Sequence, residues 1–289
     1  MRNALIFAVV LLLGSAVLAQ DSPPAAPPAA PQATPAAWPT AQFAATAAKD
    51  PGVKKAKQIL DDMIHALGGD AYLTLRDMKV EGRTYAFYHG RPSGLGTVFW
   101  RFWQWPDKDR LELTKQRDVV ELFLGDKGFE ITYKGTATQD PKLVAEYLRR
   151  RDHSLDVVIR EWLAAPGSMI LYEGPAIVEQ TLADKVTIMT AANDSVTLAI
   201  DPRTHLPLKK TYSWRDPGDR QFDEEAEIFG NFKQVQGINT PYSTVRMQNG
   251  EMSGQRFINN VAYNTGLSPA LFEASGPAYN QSKTPASKP

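Results

Sequence analysis

Apolar residues recur at steps of three and four between Pro51 and Leu67, which predicts an amphipathic helix over this stretch. Asp50 precedes the helix as a capping side chain, and Pro51 suits its first turn. Gly68-Gly69 then supplies the backbone freedom that ends a helix. This helix is predicted to be the first folded element. Its apolar stripe consists of Val53, Ala56, Leu60, Met63, Ile64 and Leu67.

After Leu75 the apolar positions change to the alternating period of β-strands, and they keep it for most of the remaining chain. Turn sequences, such as Pro106-Asp107-Lys108-Asp109 and Gly125-Asp126-Lys127-Gly128, separate the predicted strands at short intervals. Helical spacing returns once, between Asp140 and Ala165, where it predicts two short helices. The order of elements predicts a mainly β domain, in which a curved antiparallel sheet or an open barrel is covered by helices.

The two ends of the chain differ from this pattern. Residues 1–19 combine a basic start, a short apolar run and a small-residue exit, which is typical of a secretory signal peptide cleaved near Ala19. Residues 20–48 are rich in Ala and Pro and predict a disordered linker. The composition of residues 275–289 predicts a disordered tail. A folded domain is therefore expected over residues 49–274 of an exported, periplasmic protein.

The amino-acid composition argues against several kinds of functional site. The chain has no cysteine, which excludes disulfides, thiolate metal sites and a lipid-modified cysteine. Its 32 basic residues balance its 32 acidic ones, so nothing indicates a nucleic-acid partner. A GxSxG nucleophile elbow is missing as well. The histidines, none of them at a zinc-site spacing, are His65, His89, His153 and His205. We therefore predict no metal, no cofactor and no catalytic residue.

Two charged clusters are interpreted as solvated surface. Arg149-Arg150-Arg151 is expected at an exposed helix end. The acidic segment between Asp216 and Glu227 offers the carboxylates that calcium prefers, but its spacing matches no calcium loop. An exposed hairpin is expected there. The acidic residues concerned are Asp216, Asp219, Asp223, Glu224, Glu225 and Glu227.

The stretch from Val98 to Trp105 carries large aromatic side chains at both odd and even positions. A strand with one solvated face would alternate them with polar residues, so both faces here require apolar neighbours. One face can pack on the core, and the other is predicted to line an apolar cavity that takes an acyl chain. Ordinary core packing on both faces is the open alternative. The predicted lining residues are Phe99, Trp100, Phe102, Trp103, Leu111, Leu113, Leu122 and Trp162.

Five segments carry a resemblance through their order and spacing. They are Ala66 to Gly69, Pro106 to Leu113, Gly125 to Lys127, Ile200 to Lys209, and Tyr263 to Phe272. Together they resemble the LolA/LolB-like superfamily, the outer-membrane lipoprotein-sorting proteins of bacteria and their relatives. The similarity covers most of residues 52–273.

The resemblance implies a half-open antiparallel β-barrel of about 11 strands, with an N-terminal helix and an inserted helical lid. Its apolar interior would shelter lipid acyl chains. In the carriers, an arginine after a proline of the second strand bonds backbone groups of the lid and holds it closed. Arg110, four residues after Pro106, resembles that latch. An exposed strand arginine is the alternative for Arg110.

Three hypotheses for the function follow. The first is a non-enzymatic periplasmic carrier that binds lipid or lipoprotein acyl chains, with a membrane-bound donor or acceptor protein as a further partner. The second is an envelope sensor or scaffold module that binds a membrane protein. The third, a hydrolase, would need carboxylates or histidines clustered on the concave face. Fold transfers between relatives more safely than cargo does.

Overall fold

The computed structural model describes residues 50–216, 218 and 220–274. The predicted signal peptide at 1–19, the linker at 20–48 and the tail at 275–289 lie outside the described residues. These segments, and the domain bounds at 49 and 274, stay predictions. No described helix is long and apolar enough to cross a membrane.

The described residues form four α-helices, two single turns of 3₁₀ helix and fourteen β-strands. The helices are α1 (Pro51–Leu67), α2 (Asp70–Leu73), α3 (Pro141–Asp152) and α4 (Leu155–Arg160), and the 3₁₀ turns are Trp162–Ala164 and Pro269–Phe272. The strands are β1 (Asp77–Tyr88), β2 (Arg91–Pro92), β3 (Thr97–Gln104), β4 (Lys108–Leu113), β5 (Val119–Leu124), β6 (Lys127–Thr132), β7 (Gly135–Thr138), β8 (Met169–Val178), β9 (Thr181–Met189), β10 (Ser195–Ile200), β11 (Pro207–Arg215), β12 (Phe222–Val235), β13 (Ile238–Gln248) and β14 (Glu251–Tyr263).

Helix α1 confirms the helix predicted over residues 51–67. The Asp50 side chain caps it by accepting a hydrogen bond from the Gly52 backbone N–H at 2.7 Å. Gly68 ends it at a φ of 138°, where a Cβ atom would lie 2.7 Å from the Gly237 carbonyl oxygen. The buried side of α1, which packs on the sheet, is formed by Ala56, Leu60, Met63 and Leu67.

All strands join one antiparallel sheet in the order β7-β6-β5-β4-β3-β1-β14-β13-β12-β11-β10-β9-β8, and the short β2 pairs with β1. The chain runs from the centre to one edge at β7, and then α3 and α4 carry it to the other edge at β8. From there it returns strand by strand to the centre, where β14 pairs with β1. The two helices predicted within residues 140–165 therefore form a crossover over one face of the sheet.

The prediction of a mainly β fold covered by helices is confirmed, but the strand number is corrected. The sheet has 14 strands instead of about 11, and it is not closed into a barrel, because β7 and β8 are separate edges. The two shortest strands, β2 and β7, are exposed along their whole length. They therefore carry no alternation of apolar and polar positions by which a sequence pattern could find them.

Contacts of α3 show that the sheet curves strongly. Tyr147 stacks on Phe123 of β5, and Arg150 pairs with Glu225 of β12. The two helical positions are about 4.5 Å apart along the axis. In contrast, β5 and β12 lie six positions apart in the strand order, which in a flat sheet would be about 29 Å. Helix α3 therefore spans the opening between the two halves of a curved sheet.

The two faces of the sheet have separate apolar cores. The face covered by α1, α3 and α4, called here the helix face, buries side chains such as Val158 of α4 and Leu198 of β10. On the opposite face, called here the tail face, residues 267–274 pack over β3 to β6 and bury Leu271 and Phe272.

Candidate functional site

The predicted cavity residues lie on both faces of the sheet. Trp103 belongs to the helix-face core, whereas its neighbour Phe102 belongs to the tail-face core, because successive side chains of a strand point in opposite directions. One cavity therefore cannot be lined by the whole set, and contact of any of these residues with a ligand stays a prediction. Phe99, Trp103, Leu111 and Leu113 lie on the helix face with Trp162, and Trp100, Phe102 and Leu122 lie on the tail face.

Arg110 also lies on the tail face, where it is completely buried. Its Nε donates to Glu112 at 2.7 Å, and its Nη1 donates to the backbone carbonyl oxygen of Leu271 at 3.1 Å. Glu112, also fully buried, accepts a second hydrogen bond from Arg117 at 2.5 Å. An arginine that holds α3 or α4 closed would lie on the helix face, whereas Arg110 lies on the opposite side of the sheet. These contacts instead hold the segment that follows the last strand.

That segment is anchored at its beginning by Asp77. The carboxylate of Asp77 accepts hydrogen bonds from the Thr265 backbone N–H at 2.7 Å, the Thr265 hydroxyl at 3.0 Å and the Gly266 backbone N–H at 3.0 Å. Charge-assisted hydrogen bonds of this kind are strong. The segment is thus fixed at Asp77 and at Arg110, and it covers the tail face over β3 to β6.

Helix α3 covers the helix face without burying any of its own residues. The ring of Tyr147 stacks on Phe123 with centroids 3.6 Å apart, and its hydroxyl donates to Asp109 at 3.2 Å. Burial and the charge of Asp109 raise the pKa of Tyr147. Arg150 donates to Glu225 at 2.9 Å. The cover is held by one stacked pair and by polar contacts.

The arginine run at the end of α3 is partly buried and makes contacts with the sheet and its loops, so its predicted full exposure is corrected. Arg149 lies over the ring of Trp214, 4.0 Å from its centroid, and Arg151 donates to the Gly125 carbonyl oxygen at 2.6 Å. The curvature of the sheet brings partners to the helix end that no local pattern could show.

Helix α4, in contrast, is firmly anchored. Val157, Val158 and Ile159 are buried in the helix-face core. At the junction of the two helices, the buried ring of His153 stacks on Tyr212 at 4.2 Å and lies 2.9 Å from Asp194. The crossover therefore consists of a fixed half, α4, and a loosely attached half, α3.

Under α3, the helix face carries a network of ion pairs. Arg101 donates to both carboxylate oxygens of Asp109, with the shortest bond at 2.8 Å, and Lys210 lies 2.7 Å from Glu227. Burial by itself would raise the pKa of Glu227, but Lys210 and Arg246 outweigh it and lower this pKa to about 2. A general acid or base needs a pKa near the working pH, so Glu227 is not suited to proton transfer.

Two further carboxyl groups of this region have raised pKa values, in contrast to Glu227. Burial is the main cause that raises the pKa of both Glu121 and Asp156. The network thus contains carboxylates matched by cations and two carboxyl groups in which burial favours the neutral form.

The expected exposed hairpin between Asp216 and Glu227 is wrong for two of its residues. Glu225 is buried and Glu227 is partly buried, because both point to the helix face. Glu227 lies opposite Lys210 and Arg246 of the neighbouring strands, and Glu225 pairs with Arg150 of α3. Sequence reasoning also missed Arg246 and Arg256. Charged residues at every second position of a predicted strand, as in Glu225 and Glu227, were the available signal.

Two cavities stand out among the described residues. A groove of about 420 Å³ on the tail face is lined mainly by polar side chains of β8 to β12, among them Glu173, Lys185 and Thr197. A cleft of about 50 Å³ on the helix face lies between β12, β13, β14 and the end of β1. Its lining consists of Thr84, Glu227, Thr244, Arg246, Gly254, Gln255 and Arg256.

Solved structures of other bacterial proteins are similar in fold to this protein. A DUF1329 family protein from Desulfovibrio piger ATCC 29098 superposes with a TM-score of 0.54 at 16% identity, covering 75% of this chain and 97% of that chain. A putative outer membrane lipoprotein-sorting protein domain from Vibrio parahaemolyticus superposes with a TM-score of 0.52 at 11% identity, covering 76% of this chain and 97% of that one. The chain thus shares the fold of these two proteins, and the predicted LolA-like fold is confirmed.

The similarity lies in the structure. No protein-family model matches the sequence. No curated protein matches it either.

Proposed function

We propose that this chain is an exported, non-enzymatic binding protein of the bacterial periplasm that carries the acyl chain of a lipid or lipoprotein under helix α3. The observation that carries the proposal is the way α3 is attached. It spans the opening of the curved sheet, every one of its residues is at least partly exposed, and one stacked pair and polar contacts hold it, so it can lift while α4 keeps its own core buried. A cover of this kind suits a site that must load and unload.

Part of the helix face offers apolar surface to such a chain. Phe99 pairs with Leu113 on one side and with Gly82 on the other, and Gly82 pairs with Ile258. Leu111, Leu113 and Ile258 are partly exposed, so an acyl chain lying there would remove apolar surface from water. Each buried methylene contributes about 0.8 kcal/mol, so a long chain gains several kcal/mol.

The fold supports the proposed class of cargo. A similar structure is described as a putative outer membrane lipoprotein-sorting protein domain. By analogy, a membrane-bound donor would load the site and a membrane-bound acceptor would empty it. The predicted signal peptide at 1–19 would deliver the chain to the periplasm, and mass spectrometry of the exported protein should then find Gln20 at its N-terminus.

Extraction of the protein as exported by a bacterium tests the cargo. The mature chain is purified from the periplasm without detergent, extracted with organic solvent and analysed by mass spectrometry. Acyl lipid near one molecule per protein is expected. Protein without lipid, which also leaves a fluorescent long-chain fatty acid unbound, would contradict the proposal.

A disulfide tests whether the cargo enters under α3. The chain has no cysteine, and a Cβ atom on Gly128 would lie 2.7 Å from Cγ2 of Val144 on α3. The Gly128→Cys/Val144→Cys pair thus falls near the separation that a disulfide spans. Oxidation should block uptake of the fluorescent fatty acid, and reduction should restore it. The single-cysteine variants are the controls, and uptake at the same rate by the oxidised pair would place the entrance elsewhere.

The sensor or scaffold hypothesis is favoured by one feature, the edge strand β8. It pairs only with β9 among the described strands, and it exposes Met169, Leu171 and Ile177. Edge strands can take up an additional strand from a partner. A pull-down from envelope extract that returns one stoichiometric membrane protein, with no lipid on the purified chain, would favour this function.

A further inference from the structure

The helix-face cleft brings two guanidinium groups to one opening. In the pairing of β13 with β14, Arg246 lies opposite Gly254 and Thr244 lies opposite Arg256. These residues point to the helix face, together with Glu227 of the adjoining strand. Gly254 has no side chain, so the space between the two arginines stays open.

Three carboxylates near the cleft already have other cations. Asp109 is held by both Nε and Nη2 of Arg101, Glu227 by Lys210 at 2.7 Å, and Glu225 by Arg150 at 2.9 Å. The charge of Glu227, the one acidic group that lines the cleft, is therefore matched by Lys210.

Arg246 and Arg256 are left with weak partners. The buried Nε of Arg246 lies 3.5 Å from Glu225 but makes no hydrogen bond. Within the described part of the chain, Arg256 forms no ion pair, and its guanidinium carbon lies 5.0 Å from the centroid of the Phe99 ring. A buried guanidinium nitrogen without an acceptor is costly unless a ligand supplies one.

We propose that Arg246 and Arg256 bind the oxyanion of a ligand, a carboxylate or a phosphate. The inference rests on the proposed function in one respect, because it names the polar end of the molecule whose acyl chain would lie on Phe99, Leu111 and Leu113. Guanidinium groups match the geometry of carboxylate and phosphate oxygens and can donate two parallel hydrogen bonds. The hydroxyls of Thr84 and Thr244 add further donors at the cleft.

The electrostatics of Arg256 agree with this site. Burial, followed by the like charges of Arg101 and Arg246, lowers the pKa of Arg256 to about 10. The charges of Arg101 and Arg246 thus act on Arg256 in addition to burial, and a bound anion would relieve the repulsion between Arg246 and Arg256.

Ligands with the same alkyl chain and different head groups test the contribution of the oxyanion by itself. Calorimetric titration of the mature protein compares dodecanoate, dodecyl phosphate and dodecanol, which share an alkyl chain, with inorganic phosphate alone. At least one of the two anionic amphiphiles should bind roughly tenfold or more tightly than dodecanol, since charge-assisted hydrogen bonds are formed only with the anions. A preference for dodecyl phosphate points to a phospholipid headgroup, and one for dodecanoate points to a fatty acid.

Variants locate the site. Arg246→Gln and Arg256→Gln should each abolish most of the preference for the anion, whereas Arg91→Gln, which removes the same charge from an exposed position, should leave it unchanged. Gly254→Val is a second type of variant, because it fills the cleft and leaves every charge in place. It should reduce the preference as well, and the urea midpoint of each variant shows that it is folded.

The outcomes distinguish this inference from the proposed function. Equal binding of dodecanol and both anions would overturn the oxyanion site and leave the carrier function standing. Binding of inorganic phosphate that is lost in Arg256→Gln, without binding of any alkyl ligand, would support the site with free phosphate as its ligand and contradict the carrier. Binding of anions that is unchanged in all three cleft variants would overturn the inference.

Discussion

Arg110 of β4 donates a hydrogen bond to the backbone carbonyl oxygen of Leu271 at 3.1 Å, across 161 positions of sequence. It also donates to Glu112, and both side chains are fully buried. A guanidinium thus joins strand β4 to the segment after the last strand. Removal of one partner of such a buried ion pair strongly destabilises the folded protein, because the other charge stays in the interior.

Arg110→Leu should therefore lower the free energy of unfolding by about 3–5 kcal/mol, measured by urea denaturation. The Arg110→Leu/Glu112→Leu variant is the control. It removes both members of the pair and should recover part of the lost stability. A loss below about 1 kcal/mol in the single variant would show that the pair does not hold the segment.

Tyr147→Ala should loosen α3, because it removes both the stacking on Phe123 and the bond to Asp109. The measurement is the rate of trypsin cleavage at Arg149, Arg150 and Arg151 under native conditions, which should rise several-fold. Tyr147→Phe keeps the ring and loses only the hydrogen bond, so its cleavage rate should stay closer to that of the unchanged protein. Equal rates in all three proteins would show that α3 is held elsewhere.

Acid should destabilise the protein through Glu227. Its pKa is about 2 in the folded protein, below the ordinary value of 4.5, so the folded state favours the ionised carboxylate. This stabilisation is fully present above about pH 5 and is lost as the pH falls toward 2. It amounts to at most about 3 kcal/mol.

The check is urea denaturation of the protein and of Glu227→Gln between pH 2 and pH 7. The variant should be less stable near neutral pH, and the difference between the two proteins should shrink as the pH falls. A difference in unfolding free energy that does not change with pH would show that the ionised Glu227 carboxylate does not stabilise the folded protein through Lys210.

Gly82→Ala should destabilise the centre of the sheet. A Cβ atom at Gly82 would overlap the Phe257 carbonyl oxygen and lie 2.8 Å from the Phe99 ring. Overpacking of this kind costs about 1–3 kcal/mol or more, and thermal unfolding measures it. Gly94→Ala is the matched control, since a Cβ atom there meets nothing within 4 Å. Similar midpoints for both variants would contradict this account of Gly82.

Local patterns predicted the elements well. Helix α1 follows from the spacing of its apolar residues and from Asp50 and Gly68, all within a few positions of each other. The two crossover helices likewise follow from local spacing. What these patterns could not show was the curvature of the sheet, which brings Glu225 to Arg150 across 75 positions of sequence.

The sequence by itself determined the mainly β class, the leading helix, the helical crossover and the chemistry excluded by the missing cysteines. The tertiary structure decided which face each strand residue occupies. An alternating pattern is symmetric between the two faces of a sheet, so it assigns Phe102 and Trp103 to opposite sides without saying which side a cover will occupy. That choice depends on contacts between distant segments. Such contacts placed Arg110 under the C-terminal segment, and they set Arg246 and Arg256 beside one cleft.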